Sequence, residues 1–373
     1  MIRMNLKSIQ FSDGIPMAAI LTRDDIETPA VLINLAVATR NIRRFQDHAD
    51  AVGLKSRPHI KTHKLPQLAR LQIEAGAVGI TCQKVSEAEA MVDGDTAITD
   101  VLITYNILGS AKLARLRRLA DRVTLAVVAD SLAVVQGLSD AFAGAAKPLR
   151  VLVECDTGAH RCGVTSPAAA GDLAQAIDRL PGLVFGGLMT YPPAGGAAAA
   201  QAFLASAKAA IEATGLAVPV VTSGGTPDIW QANTGGGVTE YRPGTYVYND
   251  RSLVTRGVAT LAECALTVLA TVVSVPDPHR AIIDAGSKVL TSDLLGLTDH
   301  GAVLGHPGIS IDQLSEEHGR LVSEGPIGLS VGDRISIVPN HACVVTNMVD
   351  VVHIETENGR FERWPVAARG RVI

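Results

Sequence analysis

Short apolar runs alternate with amphipathic helical stretches through the first two thirds of the chain, and few folds accept that rhythm. The runs fall at 30–34 (AVLIN), 56–60, 79–83 (GITCQ), 101–105 (VLITY), 123–128 (VTLAVV), 149–155 (LRVLVEC), 185–190 (FGGLMT) and 219–223 (PVVTS). Most are continuously apolar, as strands covered on both faces are. Between them the spacing predicts helices over 35–53, 64–76, 86–94, 111–121, 131–146, 167–180 and 200–215. Ser86 and Glu89 have the form of a capping box, and Gly215 sits where a C-terminal glycine belongs. Eight such units predict a (β/α)8 barrel over residues 28–255, with a doubly wound open sheet as runner-up.

Past residue 255 the rhythm changes. Runs at 262–275, 280–284, 333–338 and 343–354 follow one another without long helical patterns, separated by Pro and Gly turns. They predict a mainly β second domain over 256–373. Residues 1–27 read as a polar N-terminal segment, on the surface or packed on the β domain, and 292–330 carry no assignable pattern.

An apolar fraction of 47% with 19% charged residues is that of a soluble globular protein. A net charge of −4 offers no field for nucleic acid or an anionic membrane. Cys82, Cys155, Cys162, Cys264 and Cys343 are odd in number and widely spaced, which fits a reducing cytoplasm. No secretory signal and no run of ~20 apolar residues is present, so a cytoplasmic enzyme is expected.

The chemistry concentrates in Ser56-Arg57-Pro58-His59-Ile60-Lys61-Thr62-His63-Lys64. Pro58 makes the segment extended, so alternation would put Arg57, His59, Lys61 and His63 on one face. Crowded cations lower lysine basicity, and such a lysine can form a Schiff base with a carbonyl. A solvated basic edge is the plainer reading. Lys61 lies just past a strand, at the end where barrels gather their active sites.

Two later segments resemble a phosphate cradle: Ser223-Gly224-Gly225-Thr226-Pro227 and Arg242-Pro243-Gly244-Thr245-Tyr246. Glycines permit close backbone approach, and helix starts offer N–H groups to anions. A reactive lysine together with such a cradle implies pyridoxal phosphate. In the second domain His341 and Cys343 lie two apart on an expected strand, sharing a face. A nitrogen–sulfur pair favours zinc, with manganese, cobalt or magnesium as alternatives; a buried cysteine beside a surface histidine is the plainer reading. Glu316-Glu317-His318 reads as a solvated turn or a further ligand group.

The motif Arg57-Pro58-His59-Ile60-Lys61-Thr62-His63-Lys64 resembles that of the fold-type III pyridoxal-phosphate enzymes related to D-serine dehydratase and D-threonine aldolase. The resemblance continues through Asp156-Thr157-Gly158-Ala159-His160-Arg161-Cys162-Gly163, both glycine segments, Asp284-Ala285-Gly286-Ser287-Lys288 and the His341/Cys343 pair. It implies an alanine-racemase-like barrel followed by a β domain. It makes Lys61 the Schiff-base lysine, Arg161 and Tyr191 cofactor neighbours, and His341 and Cys343 metal ligands. His59 and the residues Ser223, Gly224, Gly225, Thr226, Gly244, Thr245 and Tyr246 complete the implied cofactor site, with Lys61, His63 and Tyr191 as catalytic candidates. A head-to-tail homodimer is implied too.

D-threonine aldolases usually pair the metal histidine with aspartate and carry a histidine a few residues past the position of Tyr191. Here the partner is Cys343, and no histidine follows Tyr191 in Pro192-Pro193-Ala194-Gly195-Gly196. The expected activity is therefore dehydration of a D-3-hydroxy amino acid such as D-serine, D-threonine or D-threo-3-hydroxyaspartate. Retro-aldol cleavage is the alternative; a racemase or a non-catalytic cofactor carrier is more remote.

Overall fold

A computed structural model describes residues 21–233, 235–356 and 358–373. The chain alternates β1 (Ala30–Asn34), α1 (Leu35–Ala51), β2 (Lys55–Ser56), α2 (Pro66–Glu74), β3 (Ile80–Cys82), α3 (Val85–Gly94), β4 (Asp100–Ile103) and α4 (Ser110–Ala120). It continues through β5 (Thr124–Ala129), α5 (Leu132–Phe142), β6 (Leu149–Cys155), α6 (Pro167–Arg179), β7 (Leu183–Thr190), α7 (Ala197–Glu212), β8 (Val221–Ser223) and β9 (Glu240–Tyr241). These strands from β2 onward form one parallel sheet in the order β2-β9-β8-β7-β6-β5-β4-β3. A parallel bridge between His59 and Thr81 joins its two ends, closing the expected barrel. Leu102, Ala126, Val128, Leu152 and Met189 fill the inside, while the main core lies between strands and helices.

The first apolar run does not belong to this barrel. β1 lies in the other sheet, antiparallel to β10 (Leu266–Asp277) and parallel to β16 (Val351–Glu355). Val31 and Ile33 join the main core, and Ala30 and Leu32 pack with Leu269 and Phe361. Both faces are buried, as they would be in a barrel, so apolarity alone could not separate the two placements. The barrel is completed instead by β9, a two-residue strand hidden from an apolar reading by Glu240, which is buried against Arg57.

After the short helix α8 (Arg251–Thr255) comes the second unit: β10, β11 (Arg280–Ile283), α9 (Ser287–Leu290), β12 (Gly301–Val303), β13 (Ile309–Leu314) and β14 (Gly319–Ser323). It ends with β15 (Arg334–Pro339), α10 (Ala342–Met348), β16 and β17 (Phe361–Pro365). The nine strands order as β11-β14-β13-β12-β15-β10-β1-β16-β17. The mainly β expectation holds, and the unassigned stretch 292–330 supplies β12, β13 and β14. Glu316-Glu317-His318 is the turn between β13 and β14, with both carboxylates on Lys288 (3.2 and 2.6 Å).

Two local expectations are corrected. Ser86 caps nothing, because α3 already begins at Val85; its hydroxyl donates to the Ile373 carbonyl (2.7 Å). Residues 342–348, read as part of a strand, are the helix α10. Most of the N-terminal segment 1–27 lies outside the described residues; within the rest, Leu21 bridges to Phe361 of the β domain. Among the described residues no helix is long and apolar enough to cross a membrane.

Candidate active site

β2 stops at Ser56, and after Pro58 the chain tightens into a 3-10 turn over Ile60–Thr62 that carries Lys61. His59 caps this turn: its Nδ1 accepts the Lys61 backbone N–H (3.3 Å). The proton must then sit on Nε2, which donates to Gln83 Oε1 (3.1 Å), while Gln83 Nε2 donates to the Thr104 carbonyl (2.9 Å). Burial, and next the charge of Lys61, hold His59 well below the usual histidine pKa, so it is neutral.

The expected row of four cations on one face is not formed, because the turn breaks the two-residue alternation. Arg57 is locked between Glu240 (2.7 Å) and Asp100 (2.6 Å). His63 is fully buried, its Nδ1 accepting the Leu65 N–H (3.1 Å) and its Nε2 on Gln72 (3.3 Å). Burial pushes its pKa down to about 4. Both ring nitrogens of His63 are thus engaged, and it faces the scaffold.

Lys61 and Arg161 both approach the ring of Tyr191, a rim residue 37% exposed just past β7. The ammonium of Lys61 lies 6.0 Å and the guanidinium of Arg161 4.8 Å from the ring centroid. Arg161 comes from the loop after β6, which is folded by Asp156 accepting the Gly158 and His160 N–H groups (2.9 and 3.1 Å).

The two glycine segments also converge here. Thr226 Oγ1 ties them together, accepting the N–H groups of Gly244 (3.2 Å) and Tyr246 (3.3 Å). A Cβ on Gly244 would lie 3.0 Å from Thr62 Oγ1 and 3.2 Å from the His59 carbonyl, so glycine lets the cradle close against the lysine turn. On the other segment a Cβ on Gly224 would meet the Arg242 carbonyl at 2.8 Å. Ser223 and Thr226 are buried in this seam. The Tyr246 ring packs edge-on against Phe45 (5.1 Å) in the core, so only its backbone borders the cradle.

α10 brings the metal candidates to the same place. Cys343 Sγ lies 3.1 Å from Thr62 Oγ1 and 3.6 Å from Thr245 Oγ1, touching the lysine turn and the cradle at once. His341, at the cap of α10, has its Nδ1 3.0 Å from Asp250 Oδ2. Burial would lower the His341 pKa, but the neighbouring Cys343 and Asp250 outweigh it and raise it to about 11. Cys343 moves the opposite way: burial opposes its thiolate, and His341 with Lys61 overcomes burial, lowering its pKa. Each group thus favours the charged form of the other, and Nε2 and Sγ are the donors they would offer to a divalent cation. No cluster of three or more potential metal-binding side chains occurs among the described residues, so two protein ligands would leave open positions.

Two site residues, Asp250 and Glu154, escaped the sequence reading, and the contacts of a third, Arg242, could not be read from it. Asp250, fully buried, accepts from His341, from the Ala342 N–H (3.1 Å) and, through its other oxygen, from Ser252 Oγ (2.7 Å) and the Leu253 N–H (3.2 Å). Its place before Arg251-Ser252-Leu253 signals a helix cap; nothing signals its reach to His341. Glu154 is buried two residues after Leu152 on the inner face of β6, and burial pushes its pKa up to about 7 despite Arg161. Arg242 is buried on Thr222 Oγ1 (2.9 Å) and the Thr190 carbonyl.

The alanine racemase N-terminal domain model matches residues 33–252 and the serine dehydratase domain model 265–355. The 3-hydroxy-D-aspartate aldolase of Paracoccus denitrificans (strain Pd 1222) is 35% identical over 96% of both chains. The D-threo-3-hydroxyaspartate dehydratase of Delftia sp. (strain HT23) is 32% identical over 91% of this chain and 97% of its own. The crystal structure of D-threonine aldolase from Filomicrobium marinum superposes with a TM-score of 0.88 at 34% identity, covering 96% of this chain and all of the other. The chain belongs to the fold-type III pyridoxal-phosphate lyase family that joins an alanine racemase N-terminal domain to a serine-dehydratase-like domain.

Proposed function

We propose that this protein dehydrates a D-3-hydroxy amino acid, releasing a 2-oxo acid and ammonia, with pyridoxal phosphate and a divalent cation, zinc by preference. The pairing of His341 with Cys343 beside the lysine turn carries this reading. Two structures of a D-threo-3-hydroxyaspartate dehydratase support it. They are mutants at a histidine and at a cysteine two positions later, the cysteine mutant in the metal-free form. His341 and Cys343 have the same residue types at the same spacing.

When bound, the cofactor supplies an electron sink at the α-carbon and the cation a Lewis acid at the β-hydroxyl. Lys61 would be the residue that holds the cofactor and would serve as the base for the α-proton at Nζ. Arg161 and Tyr191 would flank the cofactor, and the segments at Ser223 to Thr226 and Gly244 to Tyr246 would hold its phosphate. His341 and Cys343 offer Nε2 and Sγ to the cation. Dehydration needs a base only at the α-carbon, whereas retro-aldol cleavage needs one at the β-hydroxyl. His63 is occupied, and the loop after Tyr191 has no histidine.

The aldolase reading is favoured by a different observation, the similarity to 3-hydroxy-D-aspartate aldolase and to the D-threonine aldolase of Arthrobacter sp (34% identical). Product analysis on D-serine, D-threonine and D-threo-3-hydroxyaspartate decides between them. The expected products are a 2-oxo acid and ammonia, formed more slowly from α-deuterated substrate. Stoichiometric glycine with an aldehyde or glyoxylate would make the protein an aldolase. A head-to-tail homodimer in the cytoplasm belongs to the same proposal, and the five free cysteines suit a reducing compartment.

A further inference from the structure

The Lys61 turn is gripped on both flanks by one neighbouring segment, the end of β3 and the first turn of α3. On the leading flank His59 accepts the Lys61 N–H and donates to Gln83 Oε1 (3.1 Å). On the trailing flank Lys64 Nζ donates to Glu87 Oε1 (2.7 Å), and Glu87 Oε2 accepts the Gln83 N–H (2.6 Å). A ring of hydrogen bonds therefore leaves the turn through His59, passes Gln83 and Glu87, and returns through Lys64. Lys64 also donates to the Ala368 carbonyl (3.3 Å), which ties the ring to the end of the β domain.

Stability alone does not account for this arrangement. Lys64 and Glu87 are only 6% and 1% exposed, and the cost of desolvating two ions roughly cancels their attraction. Lys64 further holds a left-handed backbone (φ +56°), a conformation unfavourable for a side chain of its size. What the pair does provide is direction: it anchors the chain three residues past Lys61, as His59 anchors it two residues before.

We infer that Lys64 and Glu87 are positioning residues whose buried ion pair fixes the direction of Lys61. The inference rests on the role of Lys61 proposed above, and its first test does not use the reaction. Amide hydrogen exchange of Ile60–Lys64, followed without substrate or cofactor, should be as slow in the wild type as that of β3. Exchange as fast as in the exposed Gly158–Cys162 loop would overturn the clamp, whatever reaction the protein performs.

The second test replaces the pair by neutral groups of similar size. K64M/E87Q keeps an amide oxygen for the Gln83 N–H and should fold with a Tm near that of the wild type. Its Ile60–Lys64 amides should exchange about tenfold faster or more, and kcat should fall roughly a hundredfold with KM little changed. K64R, which keeps the ion pair, should recover most of the kcat lost in K64M. Unchanged exchange and kcat in a folded K64M/E87Q would overturn the proposal. Product identity is read separately, so a wrong reaction type and a wrong clamp give different results.

Discussion

The lysine turn and the start of α10 each carry histidines removed wholly or partly from solvent, yet they treat them oppositely. His59 and His63 are kept neutral, with pKa values pushed down by burial. His341 is half-buried, and its pKa is raised to about 11. The difference is the company each keeps. His59 and His63 face amides, backbone N–H groups and a nearby ammonium; His341 faces the Cys343 thiol and the Asp250 carboxylate. Burial sets how much a neighbouring charge matters, and the neighbour sets the sign. The first region holds a backbone in place, and the second sets an imidazole beside a thiol.

The largest break between the two regions comes from removing the group that only the first supplies. Lys61→Ala should lower kcat by roughly 10^4-fold while leaving the cradle able to retain the cofactor. Borohydride should fix the cofactor to Lys61 in the wild type, as peptide mapping would reveal. A label on Lys55, Lys64 or Lys84 would move the chemistry elsewhere.

A smaller effect is expected in the second region. Asp250→Asn withdraws the charge behind His341 and should weaken zinc binding by about 10- to 100-fold, read by competition with a chromophoric chelator. The double variant H341A/C343A should bind no zinc at the site, and metal content equal to wild type would place the ligands elsewhere.

A change of pH sharpens the comparison further. His63 titrates near 6.5 when unfolded and about 4 when folded, so the unfolded chain takes up its proton first. Stability present above pH 6.5 is therefore lost as pH falls toward 4, by about 3 kcal/mol. Urea midpoints across that window should fall less steeply for His63→Gln than for the wild type. Equal slopes would mean that His63 is protonated in the folded protein.

Much of this was legible in the sequence, for reasons that can be named. Continuous apolar runs mark buried strands, and glycine clusters mark close approaches, so the barrel and the approach of the glycine segments to the lysine turn could be read directly. Partners could not. Val31 and Ile33 are as apolar as barrel residues but belong to the other sheet, because burial is written in the residue and its neighbour is not. Spacing likewise gave the proximity of His341 and Cys343 while misassigning their element. Asp250 and Glu87 act across 91 and 23 residues of chain, on His341 and Lys64, a distance no local pattern reports.

The placement of β1 has a consequence for the birth of the protein. This strand is synthesised before any of the barrel, but its two neighbours, β10 and β16, begin at Leu266 and Val351. A ribosome must therefore carry an apolar strand with both edges unsatisfied until most of the chain has emerged. Cutting the gene between barrel and β domain would make that state permanent, leaving one fragment with an orphan strand and the other with a gap in the middle of its sheet.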